Sequence, residues 1–222
     1  MSAAAKGSAK SSARRGKLLV ISGPSGAGKT TIKKQLAQHP AIKVAVTVTT
    51  RAPRVGEVAD KAYHFVDRER FLRMEKQGLF AETNDVFSNG HLYGSLKAEL
   101  EQALSDPHAV YLMEVDVTGA HNLKQAGYEG TYVFIAPPDM DVLERRLRER
   151  GTDDPPAIER RLDRANEEMQ RARDDGLQIV VNKSVEEAVA QVLRLIGLGP
   201  GAAGGAGKPP AISDTLGKQE RT

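Results

Sequence analysis

The residues best suited to chemistry lie near the start of the chain, after a short apolar segment. Leu18 to Ile21 form that segment, and the sequence GPSGAGKT follows it, matching the spacing G-x-x-x-x-G-K-[ST] at every fixed position. Such a loop turns consecutive backbone N–H groups towards one phosphate, and the N-terminus of the next helix adds partial positive charge. A glycine-rich turn that binds nothing would have no use for the Lys-Thr pair. The segment predicts a nucleoside triphosphate site.

Within this phosphate loop, Lys29 is expected to reach the outer phosphates, and the Thr30 hydroxyl is expected to ligate Mg²⁺. The predicted ATP-binding residues are Gly23, Pro24, Ser25, Gly26, Ala27, Gly28, Lys29, Thr30 and Thr31. The loop alone does not indicate which reaction follows.

A second group of residues suited to a phosphate begins at Arg51. Arg51 and Arg54 flank Pro53, and a guanidinium group can grip two oxygens of a dianion at once. Tyr63 and Tyr93 offer further hydroxyl donors. By itself this pattern also suits a solvated basic turn. Beside a complete phosphate loop, it indicates a phosphoryl acceptor that is itself a phosphate ester.

Seven segments in this order make the sequence resemble the guanylate kinase family from about Gly16 to Ile196. They are TTRAPRVGE, Tyr63, Phe80-Ala81-Glu82, Tyr93-Gly94-Ser95, the segment EVDVTGA from Glu114 to Ala120, the segment RLRERG from Arg146 to Gly151, and Val181-Asn182. Many folds share the phosphate loop, whereas the TTRxPRxGE block is much more specific.

The resemblance implies an acceptor site for GMP. It implies that the GMP phosphate is held by Arg51, Arg54, Tyr63 and Tyr93, and that guanine is read by Glu82, Thr47 and Ser95. We assign Glu114 to the acceptor side as well. The chemistry agrees, because guanine has two adjacent donors, N1–H and N2–H, that match the two oxygens of one carboxylate. Adenine would leave Glu82 unpaired.

The resemblance also implies residues for the transfer itself. Arg146, Arg150 and Arg161 correspond to lid arginines that act with Lys29 in catalysis, although most arginines between 145 and 164 suit an ordinary charged helix surface. Asn182 corresponds to a residue near adenine, but a turn asparagine explains it almost as well. Asp116, which closely follows an apolar segment, is with Thr30 our candidate for Mg²⁺, although a solvent-facing acid is as plausible.

Apolar segments alternate with helical patterns, which predicts an α/β fold with a parallel sheet flanked by helices. The resemblance implies that this fold is of the P-loop nucleoside monophosphate kinase type, with an inserted GMP-binding subdomain and an arginine-rich lid. Predicted sheet strands are 17–22, 43–48, 109–115, 131–136 and 177–181. Predicted helices are 29–38, 68–77, 95–105, 118–126, 139–150, 155–173 and 184–196. Two short strands are predicted near 63–66 and 79–82.

Composition predicts a basic disordered tail at 1–16 and a flexible Gly/Pro/Ala tail at 198–222, and the resemblance implies a guanylate kinase-like domain at 17–197 between them. Within the domain, 17–49 form the phosphate-loop core, 50–94 a GMP-binding insertion, and 95–197 the rest of the core with a lid at about 145–164.

Composition restricts the function further. The 222 residues include no cysteine, which fits a reducing compartment, and we expect a cytoplasmic protein. The net charge of +3 comes from the tails, while the segment between them is net acidic, so no nucleic-acid partner is predicted. No apolar run approaches the roughly 20 residues of a membrane span, so no membrane partner is predicted either.

The sequence therefore predicts an ATP:GMP phosphotransferase that uses Mg²⁺ and converts GMP, and dGMP, in purine metabolism. Two alternatives remain: a related kinase with another phosphorylated acceptor, and a catalytically silent guanylate kinase-like binding module. Such modules typically lose the phosphate loop, whereas Lys29 and Thr30 are present here. The oligomeric state is left open.

Overall fold

The computed structural model describes residues 16–53, 58–59, 63–85, 90–151 and 154–199. The two predicted tails fall almost entirely outside these ranges. In chain order the elements are β1 (Lys17–Ser22), α1 (Lys29–Leu36), β2 (Ile42–Val44), β3 (Thr47–Thr49), β4 (Tyr63–Phe65), α2 (Arg68–Lys76), β5 (Phe80–Asp85), β6 (Leu92–Leu96), α3 (Lys97–Leu104), β7 (Val110–Glu114), α4 (Val117–Gln125), β8 (Thr131–Ala136), α5 (Met140–Arg150), α6 (Pro155–Asp174), β9 (Gln178–Val181) and α7 (Val185–Leu195).

Five strands form a parallel sheet in the order β2-β7-β1-β8-β9. Its central strands are continuous apolar runs because helices cover both faces. The helices α3, α4 and α6 pack on one face, and α1 and α7 pack on the other. Since β1 lies between β7 and β8, the chain leaves β1 at the point where the strand order reverses. Ligand sites of open parallel sheets form at this point, at the carboxyl ends of the strands.

Four strands form a second sheet in the order β4-β3-β6-β5, in which β6 is antiparallel to both neighbours. One face packs against α2 around Val48, Phe71 and Phe80, and the rings of Phe71 and Phe80 are stacked with centroids 4.6 Å apart. The register shifts between Phe80 and Glu82, which indicates a β-bulge at this point. The bulge lets Phe80 enter the apolar cluster while Glu82, two residues later, faces the opposite side.

The predicted parallel sheet flanked by helices agrees with the structure, but two strand predictions were wrong in detail. The predicted strand 43–48 is two strands, β2 and β3, which belong to different sheets. The Ala45 N–H still donates to the Leu112 carbonyl at 2.8 Å, and the chain then crosses to the second sheet. In addition, β6 lies where no sheet strand was expected.

Among the residues that the structure describes, no helix is both long enough and apolar enough to cross a membrane.

Candidate active site

The phosphate loop connects β1 to α1, as its sequence predicts, and glycine is required where the loop meets its neighbours. Gly23 has φ 141°, and a Cβ atom there would lie 2.3 Å from the Ile135 carbonyl oxygen. Gly28 has φ 93°, and a Cβ atom there would lie 2.4 Å from Asn182 Nδ2. Any side chain at these positions would displace β8 or Asn182, so the loop conformation depends on both glycines.

Lys29, the first residue of α1, folds its side chain back over the loop. Its ammonium group donates to the carbonyl oxygens of Gly23 and Pro24, the latter at 2.9 Å. Burial lowers the pKa of Lys29, and the carboxylates of Glu114, Glu168 and Asp116 oppose that shift. The ammonium group therefore lies where a phosphate on the loop would meet it, with acidic groups around it.

Asn182 and Arg146 lie together beside the loop. Asn182 is 2% exposed, and its Nδ2 donates to the Ala27 carbonyl oxygen at 2.7 Å. Arg146 on α5 approaches the Asn182 carbonyl oxygen at 3.4 Å. Asn182 Oδ1 and Arg146 Nη1 are both buried without a hydrogen-bond partner, and such groups are uncommon in folded proteins. These two atoms can complete their hydrogen bonding with a ligand on the loop.

The other two predicted lid arginines are placed differently. Arg150 is the last residue of α5 and is exposed, and Arg161 is half-buried in α6. Residues 152 and 153, between these helices, lie outside the described part of the chain.

Sequence reasoning missed Glu168, a buried residue of α6. It is 6% exposed; its Oε1 accepts from Arg164 at 3.2 Å, and its Oε2 is buried without a partner. Burial raises the pKa of Glu168, and Lys29 and Arg164 oppose the shift. In the sequence it is one acid among many on a charged helix, and only its spacing of seven residues from Arg161, on the same helix face, could have drawn attention to it.

The two acids at the end of β7 have different surroundings. Glu114 pairs with Lys33 of α1 at 2.6 Å. Asp116 is the N-cap of α4, and its Oδ1 accepts from the Gly119 N–H at 2.7 Å. Among the described residues, no group of three or more His, Cys, Asp or Glu side chains is arranged to hold a metal ion. Such a sparse donor set suits an ion that keeps several waters and binds mainly to substrate phosphates, as Mg²⁺ does.

The predicted acceptor residues that lie on the strands of the second sheet share one face of it, the polar face. Side chains of paired residues point to the same face, so the register arranges them in two rows. The first row contains Glu82, Ser95, Thr47 and Tyr63, and the second row contains Asn84, Tyr93, Thr49 and Phe65. The opposite face is the apolar one that packs on α2.

Glu82 is the buried acidic residue of this face and is 7% exposed. Ser95 Oγ donates to its Oε1 at 2.7 Å. Burial raises the pKa of Glu82 to about 7, the hydrogen bond from Ser95 lowers it in part, and the nearby charge of Asp116 raises it further. A Cβ atom at Gly119 would lie 3.0 Å from Glu82 Oε2, so the start of α4 approaches this carboxylate closely. The helix α4 therefore links the second sheet to the end of β7.

Arg51, Tyr63 and Tyr93 come together at one end of the polar face. The Arg51 guanidinium lies 5.4 Å from the Tyr63 ring centre and 5.9 Å from that of Phe65. The rings of Tyr63 and Tyr93 meet edge to face, 6.1 Å apart. Arg54, the other predicted arginine, lies outside the described residues.

A phosphate loop at the switch point of a parallel sheet, with a smaller sheet that presents a buried carboxylate and an arginine–tyrosine cluster, defines a P-loop kinase of the nucleoside monophosphate kinase type. Comparison with known proteins specifies the family. A family model described as guanylate kinase matches residues 15–197. The chain therefore belongs to the guanylate kinase family, as the sequence predicted.

Individual relatives agree with this assignment. The guanylate kinase of Nitratidesulfovibrio vulgaris is 46% identical over 177 residues, which cover 79% of this chain and 83% of that protein. The guanylate kinase of Parasynechococcus marenigrum is 40% identical over 185 residues, covering 83% of this chain and 100% of that protein. A crystal structure of guanylate kinase from Anaplasma phagocytophilum is similar with a TM-score of 0.67 and 31% identity, covering 83% of this chain and 86% of that one.

Proposed function

We propose that this protein transfers the γ-phosphoryl group of MgATP to GMP, and also to dGMP, to give ADP and GDP. The observation that carries this proposal is the buried Glu82 carboxylate, which shares one sheet face with the Arg51–Tyr63–Tyr93 cluster. That face combines a carboxylate that can bind a purine base with a group of residues that can bind a phosphate. We call the residues assigned to the phosphate, Arg51, Arg54, Tyr63 and Tyr93, the phosphate grip. The absence of cysteine fits a reducing compartment, and we place the activity in the cytoplasm.

Base reading is assigned to Glu82 with Ser95 and Thr47. The ionised carboxylate accepts from guanine N1–H and N2–H, and Ser95 orients it through the 2.7 Å hydrogen bond. Thr47 lies in the same row and provides a hydroxyl for the O6 edge. Adenine lacks the paired donors, so it would leave a buried carboxylate without partners.

The acceptor phosphate is assigned to Arg51 and Arg54 with Tyr63 and Tyr93. At neutral pH this phosphate is largely dianionic, since its second pKa is about 6, so it can attack without a general base. The arginines hold the dianion in place, and the phenol hydroxyls donate to its remaining oxygens. Glu114, which we assigned to the acceptor side, is paired with Lys33 and would act through that pair.

The donor is assigned to Gly23–Thr31 and Asn182. Lys29 neutralises charge on the outer phosphates, and Arg146, Arg150 and Arg161 do so on the transferring group. Such positioning and charge neutralisation account for most of the rate enhancement in phosphoryl transfer. Mg²⁺ bound to the phosphates would supply further neutralisation of their charge, and Thr30 and Asp116 would hold it.

The two alternatives make different demands on the chain. A kinase for another phosphorylated acceptor would not need a buried carboxylate in the first row of the polar face. A silent binding module would not need Lys29 folded over an intact phosphate loop. The guanylate kinase family and both features favour the proposed reaction.

The Lys29→Ala variant tests whether the loop is the donor site. We expect GMP-dependent ADP formation to fall below about one-hundredth of the wild-type rate, because the charge on the outer phosphates is lost. Lys34→Ala is the matched control, since Lys34 is an exposed lysine of the same helix and should leave the rate unchanged. Near-wild-type turnover by a folded Lys29→Ala variant would exclude the loop as the catalytic donor site.

A further inference from the structure

Asn84 is a residue of the polar face to which neither the sequence nor the family resemblance assigned a role. It lies on β5 two residues after Glu82 and pairs with Tyr93 on β6. Its Nδ2 atom is buried and has no hydrogen-bond partner. A buried amide donor without a partner has lost its hydrogen bonds to water and gained none from the protein. Such donors are uncommon unless a ligand accepts the missing hydrogen bond.

Two polar side chains near Asn84 in the strand pairing are committed to other contacts. In the first row, the Ser95 hydroxyl proton is used by Glu82. The neighbouring Thr83 points to the other face, where its hydroxyl donates to Glu75 at 2.8 Å. Asn84 Nδ2 is therefore a donor on the acceptor face that the fold itself does not use.

The position of Asn84 indicates which part of an acceptor it meets. Two residues of a strand span about 7 Å, so Asn84 lies one row away from the carboxylate that would read the base. Its pairing partner on β6 is Tyr93, whose ring meets that of Tyr63 edge to face. Asn84 therefore lies beside one of the two tyrosines assigned to the acceptor phosphate, while Arg51 lies further across the face, towards β4.

We propose that Asn84 Nδ2 donates a hydrogen bond to a phosphate oxygen of the acceptor nucleotide, as an uncharged member of the phosphate grip. The inference rests on the proposed function and adds a further substrate-binding residue to it. An amide donor suits this place because it adds a hydrogen bond without adding another charge to the cluster.

The test uses the full chain and compares Asn84→Ala and Asn84→Asp with Thr83→Ala. Thr83→Ala is the matched control, because it removes a polar group from the same strand but from the opposite face. Steady-state kinetics are measured with GMP and with IMP, which lacks the 2-amino group, and the Kd for GMP is measured by calorimetry. Melting temperatures show whether each variant is folded.

For Asn84→Ala we expect KM and Kd for GMP to rise by on the order of 10- to 100-fold, the range for a hydrogen bond to a charged group, with kcat within about twofold. KM for IMP should rise by the same factor, since both acceptors carry the same phosphate. Asn84→Asp keeps the shape of the side chain and places a negative charge beside the phosphate, so KM and Kd for GMP should rise more than in Asn84→Ala. Thr83→Ala should match the wild type.

Three results would overturn the inference. One is an unchanged Kd for GMP in folded Asn84→Ala and Asn84→Asp. Another is a loss confined to GMP, which would make Asn84 a base reader. The third is a fall in both kcat and melting temperature without a change in the Kd for GMP, which would make the role of Asn84 structural. A wild-type protein that neither binds nor phosphorylates GMP would overturn the proposed function together with this inference, whereas an active wild type with unaffected Asn84 variants would overturn this inference alone.

Discussion

Glu82 is a carboxylate whose burial opposes folding at neutral pH. Its pKa is raised to about 7 from a usual value near 4.5, so between these values the folded chain holds a proton that the unfolded chain has released. Stability should therefore fall as pH rises through this window. A group that weakens the fold in this way is expected where binding requires it, and guanine supplies the two donors that would satisfy it.

Replacing Glu82 with glutamine should change the choice of base. Glutamine keeps the size of the side chain but has one acceptor oxygen and one amide NH2 group, which cannot accept. We therefore expect transition-state stabilisation for GMP, obtained from kcat/KM, to fall by about 2–4 kcal/mol, with a much smaller change for AMP. Arg51→Ala is the comparison, since it should weaken every monophosphate acceptor by a similar factor. An unchanged GMP/AMP ratio in Glu82→Gln would place base reading elsewhere.

The raised pKa of Glu82 also predicts a pH dependence of acceptor binding. Below about pH 7 the carboxyl group takes up a proton and loses one of its two acceptors, so KM for GMP should rise as pH falls from 8 to 6. The acceptor phosphate titrates in the same range, so the same series is measured with Glu82→Gln, in which only the phosphate titrates. Identical pH profiles for the two proteins would contradict the role of Glu82.

At the scale of elements, the second sheet depends on the bulge between Phe80 and Glu82. The bulge sends Phe80 towards Phe71 and Glu82 towards the polar face, although the two residues are two apart in the strand. Phe80 lies over Gly94 of β6, where a Cβ atom would approach its ring to 2.8 Å. The absence of a side chain at Gly94 therefore makes room for the ring that holds α2 on the sheet.

Gly94→Ala should destabilise this sheet. The Phe80 ring is held by its stacking on Phe71, so we expect a loss of about 1–3 kcal/mol in the free energy of unfolding, measured by denaturant titration. KM for GMP should rise as well, because Tyr93 and Ser95 flank the substitution. Gly199→Ala is the control, since a Cβ atom there would meet nothing within 4 Å. Equal stability of the two variants would show that Phe80 can move without cost.

Elements with strong local signals were predictable from sequence. The phosphate loop has a fixed spacing, and Asp67, a predicted N-cap, does accept from the Arg70 N–H at 2.7 Å. Two features were not predictable in this way. The apolar run 43–48 shows no break, yet β2 and β3 belong to different sheets, because only tertiary pairing with β7 and β6 separates them. Likewise β6 has glycine at its centre, which weakens the strand pattern.

Within the candidate site, residues that belong to a recognisable motif could be predicted, whereas isolated polar residues could not. Lys29, Glu82 and Asn182 stand in segments that carry the family resemblance, and their roles remain proposals. Glu168 and Asn84 stand in polar stretches where a single residue carries no signal. What makes them notable is a buried polar atom without a partner, Glu168 Oε2 and Asn84 Nδ2, and this is a property of the packed structure and not of the local sequence.

At the scale of the whole molecule, one domain combines the donor loop at the edge of the parallel sheet with the acceptor face of the second sheet. The helix α4 joins them, because its N-cap is Asp116 at the end of β7 and its first turn approaches Glu82. The buried apolar residues of the described chain all lie between Leu18 and Ile196. The buried apolar core of the described residues therefore lies within the segment matched by the family model, 15–197.

Removal of residues 1–15 and 201–222 should leave both the melting temperature and the kinase activity nearly unchanged, since the buried core of the described residues lies entirely between these segments. The control is removal of residues 1–20, which also deletes the fully buried Leu19 and Val20 of β1 and should prevent folding. Both proteins are compared by thermal melting and by ADP formation. A fall of many degrees in the first protein would show that a tail contributes to the fold.

ADP formation from MgATP, measured with GMP, dGMP, AMP, CMP and UMP as separate acceptors, tests directly whether this protein phosphorylates guanine nucleotides. We expect efficient turnover with GMP and dGMP, and kcat/KM lower by on the order of 10⁴-fold with AMP, because adenine would leave a buried carboxylate unpaired. The pyrimidine nucleotides should be equally poor. Comparable turnover with AMP or CMP, or none with GMP, would contradict the assignment of Glu82 and its sheet face to guanine.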